Sequence, residues 1–259
     1  MKNLVIIPAR MGSSRFPGKP LEKILGVPMI EHCYKRALLC EMVDDVFVAT
    51  CDKDIKEYVK SFGGKVVMTS RSHNRASTRT EEAVRKIKID YKINCKMVVM
   101  LQGDEPLIRP ESITSLIKAF CSQKVDILNL ISPIKNEKLF LDKNNVKVVF
   151  DKNKRALYFS REPIPSPWIK NEEYRFMQVG VMAFSESSLK FFNDLEESLL
   201  EIYESVDMNR VLENGGKIEI SKLNYETIGV DCKSDLEKAE ELMKLDPIFD
   251  NGYSINKNL

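Results

Sequence analysis

A short apolar run that passes without a break into a basic, glycine-containing loop limits the folds open to this chain more than any other feature. Leu4-Val5-Ile6-Ile7 is followed at once by Pro8-Ala9-Arg10-Met11-Gly12-Ser13-Ser14-Arg15-Phe16-Pro17-Gly18-Lys19-Pro20-Leu21. Val5 to Ile7 are β-branched and continuously apolar, which suits a parallel strand buried on both faces. Ligands of open α/β sheets sit outside the carboxyl ends of strands, so the loop falls where a site is expected. Arg10, Arg15 and Lys19 place three cations there. Gly12 and Gly18 let backbone N–H groups approach an anion, and Ser13 and Ser14 add hydroxyl donors. Three cations on one loop point to a polyanion, most simply a triphosphate; a solvated loop that is merely basic is the competing reading. Gly12 to Gly18 is one residue too long for a P-loop, Pro20 stands where Ser or Thr is needed, and GxGxxG is absent.

The pattern behind the loop repeats. Met29 to Leu39 reads as an amphipathic helix with His32 on its surface, and Val46 to Thr50 as a second strand. The segment Cys51 to Asp54 can cap a helix that Gly63-Gly64 stops. Lys65 to Met68 is a third strand, Thr69 to Thr80 a polar stretch, and about Glu81 to Ile89 a helix. Such alternation argues for βαβ units and a mostly parallel sheet. Met97 to Leu101 is the fourth and most apolar strand, and it runs into Gln102-Gly103-Asp104-Glu105-Pro106 ahead of a helix from Pro110 to Phe120. A carboxylate there can hold a phosphate-bridging metal, or simply begin the turn before the helix.

Beyond Gln123 the character changes. Val125 to Ser132, Val146 to Phe150, Ala156 to Ser160 and Gln178 to Phe184 are short strand candidates with no clear helix between them, which favours a smaller mixed or antiparallel extension. The proline-rich run Pro163 to Pro167 reads as a flap or an intersubunit segment. Helices are expected over Leu189 to Leu195 and Ser205 to Asn214, and strands over Lys217 to Ser221 and Thr227 to Val230. Ser234 is expected to cap a last helix, Asp235 to Leu245. The whole reads as one α/β domain over residues 1–245 with a loose tail, 246–259.

Composition narrows the function classes. A formal charge of +2, from 40 basic and 38 acidic residues, offers no overall field for nucleic acid or a membrane surface. No apolar run approaches the roughly 18 residues of a membrane span, and Leu4 to Ile7 is too short for a signal-peptide core, so the chain is read as cytoplasmic. Six scattered cysteines without CxxC spacing read as buried hydrophobes, and His32 and His73 are too few for a histidine metal site. Asp104 and Asp231 remain. Both follow apolar runs, and if both end on one sheet edge they can share Mg²⁺ while the basic loop holds the phosphates it bridges. That is metal-dependent nucleotidyl or phosphoryl transfer, in which positioning and charge neutralisation carry most of the acceleration.

The residues also carry a resemblance. The runs Ile6 to Arg10, Ser14 to Leu21, Val48-Ala49-Thr50, Leu101 to Pro106, Ala156 to Arg161 and Gly229-Val230-Asp231 resemble, in order and over nearly the whole chain, the 3-deoxy-manno-octulosonate (Kdo) cytidylyltransferase family. The resemblance implies a Rossmann-like nucleotidyltransferase fold, a homodimer, Mg²⁺, and transfer of CMP from CTP to a 3-deoxy sugar acid with release of diphosphate. It implies Arg10, Arg15 and Lys19 on the triphosphate, with Ser14 beside them, and the backbone of Pro8 and Ala9 at the nucleoside. Asp104 and Asp231 become Mg²⁺ ligands, Gln102 touches the sugar acid, and Arg161 faces its carboxylate. Lys19, Arg10, Asp104 and Asp231 are then the candidates for the reaction itself, the nucleophile being the acceptor's own anomeric hydroxyl.

Three places depart from the family pattern. Where the family usually has Gln-Ser-Gly-Thr-Glu-Arg after the His, this chain has Asn74-Arg75-Ala76-Ser77-Thr78-Arg79. Arg71, Ser77 and Arg79 are the binding candidates around it. Met177-Gln178 replaces an Arg-His pair, and Asp207 aligns with a sugar-pocket Glu. Polar sites that read hydroxyls discriminate strongly, so the changed segment bears on the choice of base or acceptor, and with Gln178 and Asp207 it leaves the acceptor as Kdo or a modified or related acid in its place. A sugar-1-phosphate nucleotidyltransferase and a degenerate nucleotide-binding protein are the other readings.

Overall fold

The apolar runs of the first hundred residues pair as expected in the computed structural model, which describes residues 2–13, 15–123, 125–169 and 172–253. The chain forms two compact units, Met1–Ser115 with Ile228–Leu259, and Leu116–Thr227.

In the first unit, β1 (Lys2–Ala9) is followed by a 3-10 turn at Lys19–Leu21 and a small hairpin, β2 (Lys23–Ile24) and β3 (Val27–Pro28). Then come α1 (Met29–Leu38), β4 (Asp45–Thr50), α2 (Lys53–Ser61), β5 (Lys65–Met68), α3 (Ala76–Asp90) and β6 (Cys95–Leu101). The four long strands are parallel in the order β6-β1-β4-β5, with Ile6 opposite Phe47 on one side and Met100 on the other. Val5, Ile6, Ile7, Phe47, Val48, Val99 and Met100 are fully buried. An uninterrupted apolar strand is what a sheet covered on both faces demands. Helix α3 starts at Ala76, five residues earlier than the polar composition of 69–80 suggests, because Arg79 and Thr80 bury their side chains within it.

The chain leaves this unit along α4 (Pro110–Gln123). The second unit holds β7 (Ile127–Pro133), α5 (Glu137–Leu141), β8 (Lys147–Phe150), β9 (Ala156–Ser160), β10 (Phe176–Phe184), α6 (Glu186–Asp194), α7 (Leu199–Glu204), α8 (Met208–Glu213) and β11 (Glu219–Lys222). Here β10 is antiparallel to β7 and β8, β8 is antiparallel to β9, and β11 is parallel to β7. The expected antiparallel character is present. Three details differ: α5 is a helix that five residues gave no periodicity to show, α7 is a helix where none is expected, and the helix expected over Ser205 to Asn214 is the shorter α8. Ser205 ends α7 in the left-handed region at φ 52°, which breaks the run.

The chain then returns to the first unit with α9 (Lys233–Met243) and α10 (Pro247–Asp250). Thr227 to Val230 is not a strand, and the start of α9 is capped not by Ser234 but by Asp235, whose carboxylate accepts the Cys232 amide at 3.1 Å. Residues 247–253 do not form the expected loose tail. Phe249 packs against Ile24, Met29, Val230, Ala239 and Met243, and Tyr253 bonds the ring of His32. His32 is accordingly fully buried rather than on the helix surface, with Nε2 near the Ile24 and Val27 carbonyls at 3.0 and 3.1 Å.

Candidate active site

Pro8 and Ala9 end β1 opposite Ala49 and Thr50, and the basic loop leaves the sheet at its carboxyl edge. Three contacts shape the loop from within. The Met11 carbonyl accepts the amides of Ser13 and Gly18, both at 3.0 Å, and Phe16 packs into the apolar cluster of Met29, Val230 and Met243. Gly18 sits at φ 78°, a conformation that costs glycine nothing and places Lys19 at the head of the 3-10 turn. A fourth contact comes from outside: Asp52, at the N-terminal boundary of α2, turns its carboxylate to the Met11 amide at 2.8 Å instead of capping its own helix.

Lys19 is where distant parts of the chain converge. Its ammonium donates to Asp104 Oδ2 at 2.7 Å and to Asp231 Oδ1 at 3.2 Å, and Arg15 Nη2 meets the same Asp231 oxygen at 3.0 Å. Asp104 is in the turn after β6 and Asp231 precedes α9; the Val230 amide donates to the Asp104 carbonyl at 2.9 Å and ties the two turns together. Gly103 makes the approach possible, since a Cβ there would stand 3.3 Å from Ile30 and 3.4 Å from the Pro8 carbonyl. Asp235 holds the Asp231 amide at 3.2 Å. Burial opposes the charge on Lys19, but Asp104 and Asp231 together outweigh it and keep its pKa above the ordinary lysine value.

A second arrangement orders the loop ahead of α3. Arg10 is exposed and donates to the His73 carbonyl at 3.4 Å. Arg79, nearly fully buried, donates to Thr69 Oγ1 at 2.6 Å and to the Ser70 and His73 carbonyls, both at 3.3 Å. Glu82 accepts the Ser70 amide, the His73 ring and Lys86. Burial works against the Glu82 carboxylate, yet Lys86, Ser70 and His73 hold its pKa down at about 2. Ser77 is buried in the first turn of α3, and Arg71 is exposed. Gln102 is half-buried after β6, its carbonyl accepting the Glu105 amide at 3.3 Å. Ser14 lies outside the described residues.

The remaining candidates belong to the second unit. Arg161 follows β9 and directs Nε to the Glu204 carbonyl at 2.7 Å, Nη1 to the Lys143 and Asn144 carbonyls, and Nη2 to the Ser205 carbonyl. Gln178 donates to Asn129 Oδ1 at 2.8 Å, and Asp207 stands half-buried at the start of α8. Asp52, Glu82 and Asp235 are the positioning carboxylates that sequence reading passed over. For Asp235 the signal was its place three residues after Cys232, the spacing of a capping box.

A parallel α/β sheet, three cations on the loop after its first strand, and two aspartates from remote turns facing one ammonium define the class: a nucleotidyltransferase-type enzyme. Comparison with known proteins narrows it. Residues 4–220 match the cytidylyltransferase family model. The 3-deoxy-manno-octulosonate cytidylyltransferase of Thermodesulfovibrio yellowstonii is 43% identical over 251 residues, covering 94% of this chain and 98% of that protein. That of Bacteroides thetaiotaomicron is 41% identical, covering 94% and 99%. The solved structure of a CMP:2-keto-3-deoxy-manno-octonic acid synthetase complexed with CTP superposes with a TM-score of 0.84 at 36% identity, covering 95% of this chain and 99% of that one. The chain belongs to the 3-deoxy-manno-octulosonate cytidylyltransferase family.

Proposed function

We propose that this protein transfers CMP from CTP to Kdo and releases diphosphate, with Mg²⁺ held by Asp104 and Asp231. The observation that carries the reading is the shared cation of those two carboxylates: Lys19 Nζ lies within hydrogen-bond distance of both. Two hard oxygen donors facing one positive centre suit Mg²⁺, which usually takes one or two carboxylates and completes its shell with substrate phosphates and water. When bound, the ion neutralises charge that develops on the phosphate oxygens. Arg10, Arg15 and Lys19 bind the triphosphate and orient its α-phosphorus, and the anomeric hydroxyl of the acceptor attacks there. No histidine base is called for. His32 is buried against Tyr253, and His73 is paired with Glu82.

Gln102, Arg161, Gln178 and Asp207 are the acceptor-side residues in this reading, and Gln178 and Asp207 are where a related acid would be read differently. Diphosphate release across CTP, UTP and ATP, each with Kdo, other 3-deoxy sugar acids and sugar 1-phosphates, tests the assignment. Turnover is expected with CTP and Kdo. Turnover with a sugar 1-phosphate and none with any acid would overturn it, as would thermal stabilisation by CTP without turnover.

The working form in this reading is a homodimer. Helix α7 is turned inside out: Glu201 is fully buried against Arg210, while Leu199, Ile202 and Tyr203 are 68%, 54% and 83% exposed. Leu157 on β9 and Trp168 are exposed in the same unit. Apolar exposure on that scale is a mark of a covered face, and a second copy of the chain is the partner. Ile202→Glu with Tyr203→Asp is expected to shift a dimer to monomer in light scattering, and an unchanged mass would reject this face. Among the described residues no helix is long and apolar enough to cross a membrane, and all six cysteines are free thiols. The thiols suit a reducing compartment, and we place the protein in the cytoplasm.

A further inference from the structure

Lys147 is a lysine with no exposed surface and an ammonium surrounded by main-chain oxygen. It donates to the carbonyls of Asp142 at 2.9 Å, Asn145 at 2.7 Å and Arg161 at 2.5 Å. Arg161 takes the two carbonyls between them, Lys143 at 2.9 Å and Asn144 at 3.4 Å. Four consecutive carbonyls, 142 to 145, therefore turn inward onto two cations. A bend with all its carbonyls on one side is repulsive by itself, and the two side chains supply the positive charge that holds it.

Arg161 also reaches the end of α7. Arg161 donates to the Glu204 and Ser205 carbonyls at 2.7 and 3.3 Å, and its amide donates to Glu204 Oε2 at 2.7 Å. Tyr158 and Ser160 complete the Glu204 carboxylate at 2.9 and 2.7 Å. Ser205, held in its left-handed conformation, lies two residues before Asp207. Lys147 also pairs with Met177 across β8 and β10, and the next amide, that of Gln178, donates to the Val146 carbonyl at 2.8 Å. Arg161, Gln178 and Asp207 thus hang from one frame with Lys147 inside it.

We propose that Lys147 is a positioning residue for the acceptor side of the reaction: by binding the 142, 145 and 161 carbonyls it fixes the frame that presents Arg161, Gln178 and Asp207. This rests on the acceptor roles given to those three residues above. Burial draws the Lys147 pKa down to about 8 against the pull of Asp142 and Glu162. A group held at that cost to its charge is doing more than filling space, since the carbonyl cage could be dispensed with by an apolar side chain in an ordinary core.

The test uses the full chain with Lys147→Met and the milder Lys147→Gln, which keeps two N–H donors. Kinetics are measured with Kdo varied at saturating CTP, and with CTP varied at saturating Kdo, together with the thermal shift given by CTP and Mg²⁺. The expected result is a rise of about tenfold or more in the KM for Kdo, with the KM for CTP and the CTP thermal shift within about twofold of wild type. Where Lys147→Met does not fold, Lys147→Gln decides on the same values. An unchanged KM for Kdo, or an equal rise in both KM values, overturns the positioning role. Wild-type protein without turnover on CTP and Kdo would instead sink the proposed reaction, so the two failures are distinct.

Discussion

Asp104→Asn and Asp231→Asn are each expected to cut turnover of CTP with Kdo by about a thousandfold or more while the protein keeps its fold. Asparagine preserves the shape of each side chain and one carbonyl oxygen, so Lys19 keeps acceptors on both sides, and the main-chain bond from Val230 to the Asp104 carbonyl is untouched. What is lost is one of two negative charges that would balance a divalent ion. The melting temperature should stay within a few degrees of wild type, and the Mg²⁺ concentration needed for half-maximal rate should rise. Excess EDTA should stop the wild-type reaction. A near-normal rate in either variant, with diphosphate release measured at saturating Mg²⁺, would remove that aspartate from the metal site.

Asp104 and Asp231 were legible in the sequence because each follows an apolar run that ends abruptly. The reason differed in the two cases. Asp104 does follow a strand, β6, whereas the run before Asp231 joins no strand and reaches the site by donating one amide, from Val230, to the Asp104 carbonyl. A buried apolar segment looks the same in sequence whether it joins a ladder or lies beside a turn. The parallel strands were legible for a firmer reason, since two-sided burial leaves no choice but continuous apolar residues.

What escaped sequence reading was mostly backbone chemistry. Carbonyl groups carry no letter in a sequence, so the inward bend at 142–145 and the commitment of Arg161 to four carbonyls could not be read from it. The same holds for Asp52, whose position is that of a helix cap but whose carboxylate serves the Met11 amide. Helix α7 escaped for another reason. Its apolar residues are at helical spacing, yet they face outward, and the face turned in carries Glu201 paired with Arg210 at 2.6 and 2.7 Å. Periodicity identifies a stripe but not which side of it meets the core.

Lys19→Met is expected to separate two roles that Lys19 holds at once. Its ammonium keeps two carboxylates side by side; in the proposed reaction it is also one of three cations on the triphosphate. The first role predicts a loss of stability. Lys19 is only 12% exposed and Asp104 and Asp231 22% and 28%, so removing the cation leaves two partly buried like charges facing each other, a cost of about 1–2 kcal/mol. In a chain of this size that lowers the melting temperature by roughly 2–8 °C. Added Mg²⁺ should restore most of the loss, because a divalent ion can replace the missing ammonium between the same oxygens. The second role predicts that Mg²⁺ will not restore the rate, which should remain about 10²–10³-fold down, since the phosphate contact has no other donor in that position. Calorimetry with and without Mg²⁺, set beside diphosphate release on the same samples, reads both roles. Stability unaffected by the substitution would mean that Lys19 does not hold Asp104 and Asp231 together in solution; a rate rescued along with stability would mean that the ion, and not Lys19, carries the phosphate charge.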